Sequence, residues 1–139
     1  MKANELRIGN WILIPYQNSP IAIPAHETQV QGITIFGEIL TNNTPEHEGL
    51  KTHYNHVSGI PLTEEWLLKF GFEVEEGSDA DNFWATIHKD SNIRVGMEIR
   101  NELYFLCSVD YNIHGLNIHY VHQLQNLYFT LTGNELSLK

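Results

Sequence analysis

From Phe83 to Val109 apolar and polar residues alternate almost without a break. Strict alternation is the pattern of a strand with one buried face. Phe83, Ala85 and Ile87 interleave with Trp84, Thr86 and His88, and Ile93, Val95, Met97 and Ile99 with Arg94, Gly96, Glu98 and Arg100. Leu103, Phe105, Cys107 and Val109 interleave with Tyr104, Leu106 and Ser108 in the same way. A three-residue turn at Arg100-Asn101-Glu102 pairs Ile99 with Leu103, Met97 with Phe105 and Val95 with Cys107. The pattern thus predicts a three-stranded antiparallel meander with one apolar face. On the other face this register sets Gly96 between Trp84 and Leu106, Arg94 between Thr86 and Ser108, and Tyr104 opposite Glu98.

A helix is predicted on each side of the meander. Thr63 is an N-cap, Glu64 and Glu65 suit the positive end of a helix dipole, and Gly71 is placed to end the helix near Phe70. The last helix is predicted from about Leu116 to Leu131. At 100° per residue Tyr120, Val121, Leu124, Leu127, Tyr128 and Leu131 form its apolar stripe, and His119, His122, Gln123, Asn126 and Thr130 its polar face. Asn134 to Leu138 is expected to add a short terminal strand. Ahead of the first helix the chain reads as β: a strand over Leu6–Pro15 with a bulge or bend at Gly9-Asn10, a block from Thr28 to Thr41 with turns or bulges at Gly32 and Gly37, and a short strand within 51–57. Small half-barrels of the SH3 type begin in this manner. The fold class is therefore α+β, one domain with a β-rich part over 1–58 and a helix–meander–helix part over 59–139, the last helix packing across the sheet.

At 139 residues with 42% hydrophobic content the chain can bury one core, and no apolar run reaches the roughly 20 residues of a membrane helix. Met1 to Arg7 lacks the apolar stretch of a secretory leader, and a single cysteine, Cys107, permits no internal disulfide. A cytoplasmic location is expected. The net charge is −9, from 17 acidic and 8 basic residues, and the basic ones are scattered. Nucleic-acid binding, which depends on clustered Lys and Arg to neutralise phosphates, is disfavoured. A small anionic ligand needs only two or three such residues and stays open.

Three segments carry a resemblance: Glu5-Leu6-Arg7-Ile8-Gly9-Asn10-Trp11, the stretch from Ile60 to Phe72, and above all His119-Tyr120-Val121-His122-Gln123-Leu124-Gln125-Asn126-Leu127-Tyr128-Phe129. Together, about a third of the chain, they resemble a group of short proteins of no assigned activity that is common in Bacteroidetes genomes and their prophages. The resemblance implies a setting in mobile or phage-derived DNA and supplies no catalytic residues.

Chemistry-bearing motifs are sparse. No nucleophile elbow, Walker loop or Gly-x-Gly-x-x-Gly occurs, and Cys107 falls on the apolar parity of its strand. The acidic pairs Glu75–Glu76 and Asp79–Asp81 lie in a segment read as loop. His53 and His56, and His119 and His122 with His114 just before, have the three-residue spacing of a metal pair. No Asp or Glu lies within a turn of the helical pair, so solvated polar-face histidines are expected, with no metal and no cofactor. The candidate ligand or interface residues are Trp84, Arg94 and Tyr104, by their shared outward parity, with Arg100 at the strand end and His119 and His122 on the helix. An indole beside a bare glycine can stack a planar ring, and an arginine offers a fork of donors to an anion. The competing expectation is that Trp84 merely covers Gly96 or lies under a second layer. A non-catalytic binding protein acting as a homo-oligomer is the leading expectation, taking a small anionic ligand such as a nucleotide signal or blocking a host defence protein. A metal-dependent enzyme using the histidines and a protein-only assembly accessory are the alternatives.

Overall fold

The computed structural model describes residues 3–15, 25–41, 51–74, 82–86, 94–100, 103–107 and 114–139, those of them from 74 to 116 by their backbone pairing. The fold is α+β and divides into two compact units, one of residues 1–60 with 120–126, the other of residues 61–119 with 127–139.

In the first unit four antiparallel strands pair in chain order: β1 (Trp11–Ile14), β2 (His26–Ile33), β3 (Glu38–Thr41) and β4 (Lys51–His53). A 3-10 turn over Tyr54–His56 then returns the chain to β1, where Leu13 and Ser58 exchange N–H···O bonds of 2.9 and 2.8 Å. One isolated bridge thus joins the segment after β4 back to β1. Alternation places Ile12, Ile14, Val30 and Ile39 inside, fully buried, with Leu6 and Val57 beside them and the half-buried ring of Tyr54 against the cluster. The register slips between Val30 and Gly32, so the bulge expected at Gly32 is present.

The first strand is shorter than its β-branched composition suggested. Residues 6–10 lie outside the strand, although the Gly9 N–H donates to the Val30 carbonyl at 2.8 Å and the Val30 N–H to the Asn10 carbonyl at 2.9 Å. Gly9 takes φ +91°, which only a glycine adopts readily, and its turn delivers the chain to Trp11. At Gly37 the turn expected between β2 and β3 is found, with φ +78°. The Thr34 hydroxyl fixes that turn by accepting from the N–H groups of Phe36 and Glu38.

In the second unit α1 (Glu64–Lys69) begins where the sequence indicated. The Thr63 hydroxyl accepts from the Trp66 N–H, and Gly71 follows at φ +79°. Glu65 and Lys69 form an ion pair at 2.8 Å one turn apart, and the Lys69 ammonium lies over the Trp66 ring. Leu62, Trp66, Leu67, Phe70, Phe72, Ile118 and Leu136 are buried. The sheet has five strands rather than three: β5 (Glu73–Val74), β6 (Asn82–Thr86), β7 (Arg94–Arg100), β8 (Leu103–Cys107) and β9 (His114–Ile118), paired in that order.

Three expectations are corrected here. Arg100 pairs with Leu103, so two residues rather than three separate the strand ends, and every later pair moves by one. Met97 stands opposite Leu106, Gly96 opposite Cys107 and Ile99 opposite Tyr104. Two-residue connections suit the twist of a hairpin better than three, and a one-residue slip exchanges the faces of a strand. Secondly, 116–118 is strand, and α2 runs Val121–Thr132. Leu116 and Ile118 carry the alternation of a further strand, which the expected start of the helix at about Leu116 had taken in. Thirdly, 134–138 forms no strand. Leu136 is buried, and the Lys139 N–H bonds to the Lys69 carbonyl at 3.0 Å. The strand residues that would receive the last helix lie outside those whose side chains are described.

Candidate functional site

Within the first unit the turn before β1 is tied to the start of α2 by amide side chains. Asn10, fully buried, accepts from the Arg7 N–H at 2.8 Å and donates to the Asn126 side-chain oxygen at 3.0 Å. Gln125, 1% exposed, accepts from the Trp11 N–H at 2.8 Å and donates to the Gly9 carbonyl at 3.2 Å. Asn126 donates to the Glu5 carbonyl at 2.7 Å. Backbone groups that a turn leaves without a ladder partner must be served by something when buried. Here a helix 115 or so residues further along the chain serves them. The helix itself is started by Gln123, whose side chain accepts from the Tyr120 N–H, and by the Val121 N–H donating to the Ile60 carbonyl.

This attachment turns His122 inward. It is 1% exposed, contrary to the solvated polar face expected for it. The helix phase is set by the two amides and by Val121 and Leu124, both buried, and that phase carries His122 with them, while Tyr120 and Leu131 of the expected apolar stripe are 40% and 44% exposed. Neither ring nitrogen of His122 has a hydrogen-bond partner. Burial holds the imidazole below its ordinary pKa; the charge of Glu5 pulls it back up, and the amino-terminal charge adds to the lowering. His122 is thus a neutral ring with one donor and one acceptor nitrogen.

The ring lines a pocket of about 170 Å³ together with Glu5, Ser58, Gly59 and Tyr120. Tyr120 stacks on it, centroids 5.7 Å apart and planes 14° from parallel. Gly59 makes the close approach possible: a Cβ there would lie 2.7 Å from the Tyr120 ring and 3.0 Å from His122. No hydrogen bond joins the Ser58 hydroxyl to His122, so a nucleophile–base pair is not assembled.

The other candidates fall elsewhere. His119 is exposed and belongs to the second unit, its carbonyl accepting from the Leu62 N–H. Trp84 pairs with Gly96 and Arg94 with Thr86, as expected, and Arg100 ends its strand opposite Leu103. Tyr104 pairs with Ile99 and Ile118, so it does not share the strand parity of Trp84 and Arg94. The side chains of these four lie outside the described residues. His53 is occupied in starting the 3-10 turn, its Nδ1 accepting from the Asn55 N–H, and His56 is exposed. Among the described residues no three His, Cys, Asp or Glu side chains are placed to share a metal.

Sequence reasoning missed Glu5, Ser58, Gly59 and Tyr120 as neighbours of His122, and Gln125 as a buried amide. Gly59 was the available signal, a bare residue between the buried Val57 and Ile60. A second exposed feature is the tip between β2 and β3, where Ile35 and Phe36 are 94% and 76% exposed on the turn held by Thr34. No protein-family model, curated protein or solved structure matches the chain.

Proposed function

We propose that the chain is a non-catalytic binding protein whose ligand site is the pocket over His122. One observation carries the reading: a nearly fully buried imidazole with no partner at either nitrogen lines an open cavity. A buried polar group without a partner costs on the order of 1–3 kcal/mol, and a ligand supplying that partner offsets the cost. The unassembled Ser58–His122 pair favours binding over hydrolysis. Size narrows the class of ligand. About 170 Å³ falls below the roughly 300–1,000 Å³ of pockets that enclose drug-sized molecules. A whole nucleotide would project from it, and a base-sized fragment would fit.

Native mass spectrometry of the purified chain, with a thermal-shift screen of small polar molecules, tests the reading. A ligand should raise the melting temperature of the wild type and leave that of His122→Leu unchanged. Equal shifts in both proteins would place the site elsewhere.

Contact with another protein is a second reading, favoured by Ile35 and Phe36 on an ordered tip. Large apolar anchors held in a fixed conformation are what protein interfaces use at their centres. Light scattering of the wild type and Phe36→Ser tests whether that partner is a second copy, as the expected homo-oligomer requires.

A further inference from the structure

His122 sits where a positive charge is poorly served, with one aromatic ring between it and water. It is 1% exposed, and neither of its nitrogens has a hydrogen-bond partner. It is also the second residue of α2, at the positive end of the helix dipole. Tyr120 stacks on it at 5.7 Å and is itself 40% exposed. We propose that the two rings form an acid-opened latch: when His122 takes up a proton the stack parts and the imidazolium turns to water, while Gln125 and Asn126 hold α2 to the turn before β1.

A neutral imidazole buried in this way leaves one N–H unserved, and a protonated one leaves two. The face of Tyr120 attracts a cation, yet it leaves both N–H groups without an acceptor. Burial opposes the proton most, the Glu5 charge favours it, and the amino-terminal charge opposes it. Ser58 and Gly59, the other described residues of the lining, carry no titratable group. The bare Gly59 lets both rings lie close, and the cavity of about 170 Å³ leaves them room to part.

The bonds that hold the helix are of another kind. Gln125 accepts from the Trp11 N–H at 2.8 Å, and Asn126 accepts from Asn10 at 3.0 Å and donates to the Glu5 carbonyl at 2.7 Å. All of these groups are uncharged amides, and none titrates between about pH 5 and pH 8. One helical turn separates them from the ring that acid charges. Opening is therefore confined to Tyr120 and His122. The latch operates whether or not the cavity takes a ligand, so its failure would leave the ligand reading standing.

The open ring takes up its proton near pH 6.5 and the closed ring only at lower pH, so acid favours opening. With one proton per opening, the closed-to-open ratio falls below about pH 6.5 by at most about tenfold per pH unit. Proton NMR of the full chain, labelled in its histidine and tyrosine rings, tests this from about pH 7.5 to about pH 5. The Overhauser contact between the His122 and Tyr120 rings should fade in step with the His122 titration, while the Trp11 N–H keeps its protection from exchange. In His122→Leu the Tyr120 ring should be indifferent to pH over the same range. A titrating His122 that keeps its contact with Tyr120 would mean that the charge is taken up in place, and would overturn the latch. Three other results overturn it too: loss of Trp11 protection in the same step, no titration of His122 in the range, or a Tyr120 ring that still responds in His122→Leu. Should that variant fail to fold, the ring contact and the Trp11 N–H of the wild type decide.

Discussion

Asn10 and Asn126 stand 116 positions apart in sequence, and their side-chain amides meet at 3.0 Å. Around that contact Gln125 holds the Trp11 N–H and the Gly9 carbonyl. Without Asn126 the Glu5 carbonyl loses that donor, and without Gln125 the Trp11 N–H loses that acceptor, while the Gly9 carbonyl keeps the Gln29 side chain. Asn126→Ala and Gln125→Ala should each lower stability by about 1–3 kcal/mol in denaturant melts. Losses below about 0.5 kcal/mol in both would show that water serves these groups equally well.

The helix phase can be read from two leucines. Leu124 is 1% exposed and Leu131 44%. Leu124→Ala should cost about 2–5 kcal/mol, as truncations in a packed core do, and Leu131→Ala less than about 1 kcal/mol. The same denaturant melts decide the order, and a reversal would mean that α2 is rotated about its axis.

Gly59 is a steric requirement of the pocket. In Gly59→Ala the new methyl would meet the Tyr120 ring 2.7 Å away, so the ring must move or the backbone must shift. A loss of about 1–3 kcal/mol is expected, typical of overpacking, together with a change in the Tyr120 ring resonances. An unperturbed Tyr120 spectrum would place that ring elsewhere in solution.

His122 gives stability a pH dependence whose sign follows from its depressed pKa. The unfolded ring takes up a proton near pH 6.5, while the folded one stays neutral to lower pH. Its contribution is therefore fully present above about pH 6.5 and is lost as pH falls from there through the folded value. The slope is at most about 1.4 kcal/mol per pH unit. Glu5 and the amino terminus are the charged groups acting on the ring. Unfolding midpoints from pH 7.5 to 5 should fall more steeply for the wild type than for His122→Leu. Parallel curves would mean that the ring is hydrated in solution.

Local chemistry made part of this legible in advance. Thr63, Gly71 and Gly37 act on neighbours within a few residues, so cap, stop and turn could be read directly from the chain. The alternation over β6 to β8 was legible as well, but not its register, because a one-residue difference in the connection leaves the composition of each strand unchanged. His122 and Gln125 resisted for a different reason. Both are polar, and their burial follows from partners more than 60 and 110 positions away, Gly59 for one and Gly9 and Trp11 for the other. A helical stripe drawn by hydropathy assigns such residues to water, since nothing in their own segment records the backbone groups that they serve.

The reach from residue 10 to residue 126 also orders events in time. The sheet of β1 to β4 and the bridge to Ser58 can form once about 60 residues exist. The chain must grow by a further 66 or so before Asn126 appears, about 3–13 s at ordinary rates of synthesis. Contacts so distant in sequence also form slowly, because a long loop must close first. In that interval the Trp11 N–H lacks the Gln125 side chain and the Glu5 carbonyl lacks that of Asn126, while Gln29 already reaches the Gly9 carbonyl. The cavity over His122 has no Tyr120 and no imidazole, and a nascent chain has nothing with which to hold a ligand. On the proposed reading the site is complete only after residues 120–122 have joined residues 5–59, and an occupant selects chains in which those two segments have met.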